Sequence, residues 1–233
     1  MPAPAAPAAL LPRAPLAVRA AALGALLVAV VHIVFGAIVR ISGSGMGCQD
    51  AWPKCRHPDG NTYWFPPFDN PQIVIEWTHR LLATLLLVAI GTLVVSAWRH
   101  RRRLPSVLPQ SAAALGLGLF AAGFGAVTVF MENPAWATAV HKGIAAALLA
   151  AVLAAAIGAG TLGRTRLAAQ LAAGATASAK TARGALVGAG LTLSTILMGA
   201  MTAKTPDAAI ACKGFPLCGA GSIPGGAQHV QLT

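Results

Sequence analysis

The sequence predicts an all-α fold, a polytopic membrane helical bundle of which this chain carries five transmembrane helices. Three observations predict it. Of 233 residues, 56% are hydrophobic and only 10% charged, where soluble domains carry roughly a quarter charged residues. Apolar runs of about 20 residues, the length that crosses a bilayer, recur along the chain. Basic residues cluster between those runs, which is the pattern of cytoplasmic loops. The net charge of +11 therefore has no aromatic-rich basic face to offer nucleic acid. Membrane lipid is the expected surrounding and nucleic acid is not an expected partner.

The elements follow in order. Residues 1–15 are Ala/Pro-rich and expected to be disordered. The first span, about 16–39, exceeds the 7–15 residue core of a signal peptide and reads as a retained helix. A long loop covers about 40–72. The second span is about 73–98, the third about 108–131 and the fourth about 135–162. Glu132-Asn133-Pro134 makes the short turn between the last two. The fifth span is about 184–203. Small residues such as Gly116, Gly118, Gly123 and Gly125 let membrane helices approach closely. Residues 16–162 read as an N-terminal four-helix half, 163–183 as a cytoplasmic linker and 184–233 as the start of a C-terminal half.

Charge sets the expected orientation. With the N-terminus cytoplasmic, the inner segments hold Arg13, Arg19, Arg99, Arg101, Arg102, Arg103, Arg164, Arg166, Lys180 and Arg183, and no acid. All six acids fall on the outer side or at its edge, as the positive-inside rule requires. Cys48, Cys55, Cys212 and Cys218 then lie in two outer loops. Four cysteines allow three connectivities; in an oxidising compartment, one local pair per loop is the expected one.

The two cysteine loops resemble each other. Gly36-Ala37 precedes Cys55 by the same interval that separates Gly199-Ala200 from Cys218, and Trp52-Pro53-Lys54-Cys55 matches Phe215-Pro216-Leu217-Cys218. The expected unit is a four-helix repeat, two of which make eight helices. The second copy reads as incomplete, because the chain stops one residue before the counterpart of His79.

The second span opens with Ile75-Glu76-Trp77-Thr78-His79-Arg80. Ionisable groups at such a place are presumed functional. A plainer reading pairs Glu76 with Arg80 at the water interface, with His79 beside them. His79 and His141 each lie about six residues inside the outer ends of the second and fourth spans, near 9 Å deep at about 1.5 Å per residue. Those spans run the same way, so the two imidazoles can face one another at one depth, as axial ligands of a haem iron do. Glu76, one turn further out, is a candidate proton acceptor. Arg80 and Arg40 suit haem propionates; for Arg40, snorkelling at a helix end is an equal alternative. His32, in the first span, has two readings, a residue facing the pocket and a hydrogen-bonded core histidine, of which the second is the expected one. Trp52 and Trp77 read as interface anchors.

Taken together, Arg40-Ile41-Ser42-Gly43-Ser44-Gly45-Met46-Gly47-Cys48, the Trp52–Cys55 motif and Glu76-Trp77-Thr78-His79-Arg80 resemble the haem A synthase family. The resemblance runs from about Gly36 onward. It implies oxidation of the C8 methyl of haem O to a formyl group, by successive hydroxylations with oxygen from water, to make haem A for terminal oxidases. It implies His79 and His141 as ligands of the substrate haem, Glu76 as the catalytic carboxylate, and disulfides Cys48–Cys55 and Cys212–Cys218. It implies a haem b cofactor in the C-terminal half, whose histidines lie beyond Thr233, so this chain alone is expected to be inactive. The expected location is the plasma membrane, with haem O synthase and an electron acceptor as partners.

Two other classes compete. A non-catalytic bis-histidine cytochrome needs the histidines but not Glu76. A membrane thiol–disulfide oxidoreductase needs the cysteines, but C-x6-C and C-x5-C spacings differ from the usual redox C-x-x-C. A channel or transporter is disfavoured by the lack of broken helices with mid-membrane charges.

Overall fold

The computed structural model describes residues 14–162 and 179–202. The expected Cys212–Cys218 pair, the second cysteine loop, nearly all of the 1–15 segment and most of the 163–183 linker lie outside the described residues. The fold is an all-α polytopic bundle. Its helices are α1 (Leu16–Ile41), α2 (Pro71–Arg99), α3 (Val107–Phe130), α4 (Ala135–Gly158) and α5 (Ala179–Thr202). Each contains a stretch long and apolar enough to cross a membrane.

Helices α1 to α4 close a ring, α1 on α2, α2 on α3, α3 on α4, and α4 back on α1; α5 packs on α4. Each of α1 to α4 turns one stripe inward at steps of about three and four residues. On α1 the stripe is Val18, Ala22, Ala25 and Ala29; on α2 it is Leu86, Ile90, Leu93 and Ala97. Val107 and Ala114 on α3, and Leu148, Val152, Ala155 and Ala156 on α4, complete one core. The packed residues are largely alanines, while bulky side chains such as Leu27, Val34, Val88 and Phe120 point outward. That is the arrangement of a lipid-immersed bundle, in which small residues bring backbones together.

This core fills only the half of the bundle that holds the start of α1 and the end of α2. The other half carries the histidines and is topped by the loop between α1 and α2. The loop contains a 3-10 turn (Ser44–Met46) and a two-stranded ribbon, β1 (Cys55–Arg56) antiparallel to β2 (Thr62–Tyr63). Asn70 caps α2 by accepting from the Gln72 N–H at 2.9 Å, with Pro71 in the first turn.

Helix α4 ends at Gly158, four residues before the end expected from hydropathy. Gly160 adopts φ 67, its N–H bonds to Ile157 O, and the Thr161 N–H bonds to Ala156 O. This is a Schellman stop, which an apolar Ala159–Leu162 run conceals. Helix α5 begins several residues earlier than hydropathy suggested, because Lys180 and Arg183 sit within its first turns.

Candidate functional site

The site is built downward from the loop. α1 stops when Ser42 turns its hydroxyl back to Ile38 O at 2.7 Å and Gly43 takes φ 66, a left-handed conformation that favours glycine. Gly47 then passes over the start of α2 so closely that a Cβ would collide with the Gln72 carbonyl. Cys48 and Cys55 form a disulfide, and both are buried. Ile73 and Trp77 of α2 pack against it. Trp77 is therefore held by protein as well as lying near the helix end: its indole N–H donates to Trp64 O at 2.7 Å, and Phe65 and Phe68 flank its ring.

Glu76 and Arg80 grip this loop from below. Glu76 is 4% exposed. Its Oε2 accepts from the Cys48 N–H at 2.8 Å, and its Oε1 accepts from Arg80 Nη2. Arg80 Nη1 donates to Ala51 O and Lys54 O, each at 2.8 Å. The i,i+4 pair thus exists, but buried against the disulfide rather than at the water interface. It ties both ends of the Cys48–Cys55 loop to α2. Arg80 has these protein partners; the buried Nε of Arg40 has none among the described residues, which leaves Arg40 the more open of the two donors expected for propionates. Asn133, at the α3–α4 turn, adds a further tie by donating to Gly45 O at 2.7 Å.

Below this cap lie the histidines, each on the inward stripe of its helix. His32 and Gly36 extend the α1 stripe; His79 extends that of α2. Glycines back the two expected ligands. A Cβ on Gly36 would stand 3.2 Å from His79 Cε1, and one on Gly125 would stand 3.4 Å from His141 Cε1. The Nδ1 atoms of His32, His79 and His141 are all buried with no protein hydrogen-bond partner among the described residues. His32 is not the hydrogen-bonded core histidine expected of it. It stacks face to face on His79, with ring centroids 4.3 Å apart and planes 8° from parallel. Among the described residues, no group of three or more His, Cys, Asp or Glu is arranged to hold a bare metal ion.

Sequence reasoning assigned nothing to His57, yet it clasps the top of the loop. Its Nε2 pairs with Asp69 at 3.0 Å, and this hydrogen bond holds the imidazole pKa above its ordinary value. Asp59 is held down to about 2, first by the Tyr63 hydroxyl and then by the Asn61 N–H. Sequence reasoning places His32 second as a pocket-facing residue and misses Gly36 and Gly125 as site residues, although continuing the four-and-three stripe along each helix points to all three. Asn133 carries no comparable signal.

Apolar spans around a small-residue core, with three buried imidazoles whose Nδ1 atoms lack a protein partner among the described residues and a disulfide-bonded cap above them, define a polytopic membrane helical bundle. The chain belongs to the COX15-CtaA family, described as cytochrome oxidase assembly protein, whose model matches residues 19–233. It is 36% identical over 110 residues to a haem A synthase of Staphylococcus saprophyticus, covering 47% of this chain and 34% of that protein. It is 32% identical over 109 residues to a haem A synthase of Staphylococcus aureus strain Newman, with the same shares. The matched stretch thus spans about a third of the length of these curated relatives. No solved structure matches the chain.

Proposed function

We propose that this polypeptide serves haem A synthesis, oxidising the C8 methyl of haem O to a formyl group. The observation that carries the reading is the pair of buried, unpartnered imidazoles, His79 and His141, each set against a glycine. Nδ1 of each ring is free of protein partners among the described residues, and the opposite ring nitrogen, Nε2, would be the one to hold an iron. The glycines let each ring lie close against a neighbouring helix backbone. His79 and His141 would hold the substrate's iron, and the Arg40 Nε, without a protein partner among the described residues, would pair with a propionate. The oxidation needs an electron acceptor; oxygen enters from water.

Glu76 is the carboxylate nearest in sequence to a proposed ligand, and its placement between Cys48 N–H and Arg80 keeps it oriented. To take up a proton it must loosen one of those contacts. That same engagement favours the second reading, a passive bis-histidine cytochrome in which Glu76 only holds the cap. Burial of both Cys48 and Cys55 speaks against thiol–disulfide exchange as the activity, because exchange needs access to a sulfur. We place the disulfide cap outside the plasma membrane and the N-terminus in the cytoplasm. Haem O synthase as the source of substrate and a membrane electron acceptor complete the proposal.

Pigment extraction decides between the readings. The full-length gene product, expressed in a host that supplies haem O, yields haem A if it is a synthase. His79→Ala and His141→Ala each abolish conversion and change the haem spectrum, whereas Glu76→Ala keeps the haem spectrum, at reduced retention, and loses conversion. Unchanged spectra in both histidine variants remove the ligand assignment. Haem A production by Glu76→Ala removes that residue from the chemistry.

A further inference from the structure

We infer that His32 is a positioning residue for His79, fixing the plane of the ligand imidazole by face-to-face packing in place of a hydrogen bond. The inference rests on the reading of His79 as a haem ligand. A ligating histidine normally donates its second ring N–H to a carboxylate, carbonyl or water, and that bond sets the orientation of the ring. No protein group is within reach of His79 Nδ1 among the described residues. Two contacts from α1 stand in that role instead. One face of the ring lies on His32, at 4.3 Å and 8°. Its Cε1 edge meets the backbone at Gly36, where a Cβ would be only 3.2 Å away. His32 and Gly36 are four residues apart on one helix, so they form a continuous wall along one stripe.

The geometry also says what His32 does not do. Its ring is parallel to that of His79 rather than edge-on, so no N–H of either ring points at the other's lone pair. Stacked rings hold one another through their faces, and an aromatic pair of this kind contributes beyond the area it buries. His32 thereby restricts rotation of His79 about its Cβ–Cγ bond. The orientation of an axial imidazole plane is a spectroscopic property of the iron it binds, so the role has a readout independent of turnover.

The test uses the full-length protein loaded with iron protoporphyrin IX, with His32→Leu and His32→Phe compared to wild type. Leucine fills the space in a membrane helix without offering a flat face; phenylalanine keeps the face and removes both nitrogens. His32→Leu is expected to shift and broaden the low-spin ferric EPR signal of the His79-bound haem and to weaken porphyrin retention about two- to tenfold. His32→Phe is expected to restore both toward wild type. Unchanged EPR and retention in His32→Leu overturn the inference. Equal impairment of the two variants also overturns it, since that assigns the effect to a ring nitrogen. Failure of the underlying reading looks different: wild-type protein then lacks a bis-imidazole spectrum, or His79→Ala leaves it intact.

Discussion

Replacing Glu76 by alanine should free the Cys48–Cys55 loop as well as affect any chemistry at the site. Glu76 is 4% exposed and bonds to both Arg80 and the Cys48 N–H. Its removal strands a guanidinium whose side chain is 16% exposed. Breaking a buried pair from one side costs about 3–5 kcal/mol, a range within which the unsatisfied Cys48 N–H accounts for about 1–3 kcal/mol. Arg80 keeps its bonds to Ala51 O and Lys54 O, so the low end, about 3 kcal/mol, is the appropriate figure. Because both sulfurs are buried, a reductant reaches them only when the loop opens. A 3 kcal/mol loosening raises the open population on the order of 100-fold, and the rate of reduction rises in proportion. The assay is alkylation of released thiols over time under a membrane-permeant reductant, read as a mass shift. The double variant Glu76→Leu/Arg80→Met should be less labile than Glu76→Ala alone, because no charge is left stranded. Thiol release from Glu76→Ala at the wild-type rate would refute the clamp and leave Glu76 with chemistry alone.

Other outcomes follow from the same geometry. Gly47→Ala places a Cβ against the Gln72 carbonyl; backbone on both sides cannot yield cheaply, so we expect a loss of about 1–3 kcal/mol, measured by thermal unfolding in detergent. Gly36→Ala should move the His79 ring by a few tenths of an ångström and weaken porphyrin retention, whereas Gly91→Ala, which meets nothing within 4 Å, should not. The His57–Asp69 clasp should be pH-dependent. Its raised folded pKa means that the clasp is fully present below the unfolded value of about 6.5 and is lost as pH rises through the folded value. Amide exchange over residues 56–63, corrected for intrinsic rate, should accelerate across that window. Asp69→Asn should flatten the dependence.

The spans were legible because bilayer thickness imposes a length and a composition on each, and these are local properties of sequence. Helix ends were less so. The stop at Gly160 depends on one left-handed residue, and hydropathy is blind to it. The Glu76–Arg80 pair was legible from its spacing, but its depth was not, since burial comes from a loop 28 residues away at Cys48. Asn133 is further removed, 88 residues from its partner Gly45. His32 shows a subtler gap. A lone histidine in an apolar span is most simply satisfied by a hydrogen bond, and only the positions of two helices at once reveal an aromatic partner instead.

The division of the bundle into two halves follows from these contacts. Alanine stripes draw the helices together where Val18, Ala22, Leu93 and Val152 meet, and that half has little room for anything but side chains. Continuing the same stripes into the other half brings imidazoles and glycines to the inward positions, so the packing that closes one end leaves polar nitrogens unpaired at the other. Such a half does not seal itself. The cap supplies the missing constraint: Glu76 and Arg80 hold the disulfide loop to α2, and Asn133 holds it to the α3–α4 turn. The cap therefore links the helix that bears His79 to the turn that leads into the helix bearing His141. Removing one of the ties that hold the cap should thus reach the histidines by changing the spacing of α2 and α4. Asn133→Ala is the cleanest case, since it removes one hydrogen bond, about 1 kcal/mol, without touching α1 or α2. If the imidazoles share one ligand, that variant should weaken porphyrin retention by a few-fold while leaving disulfide lability unchanged. Altered lability with unaltered retention would mean that the cap guards the disulfide and does nothing for the histidines beneath it.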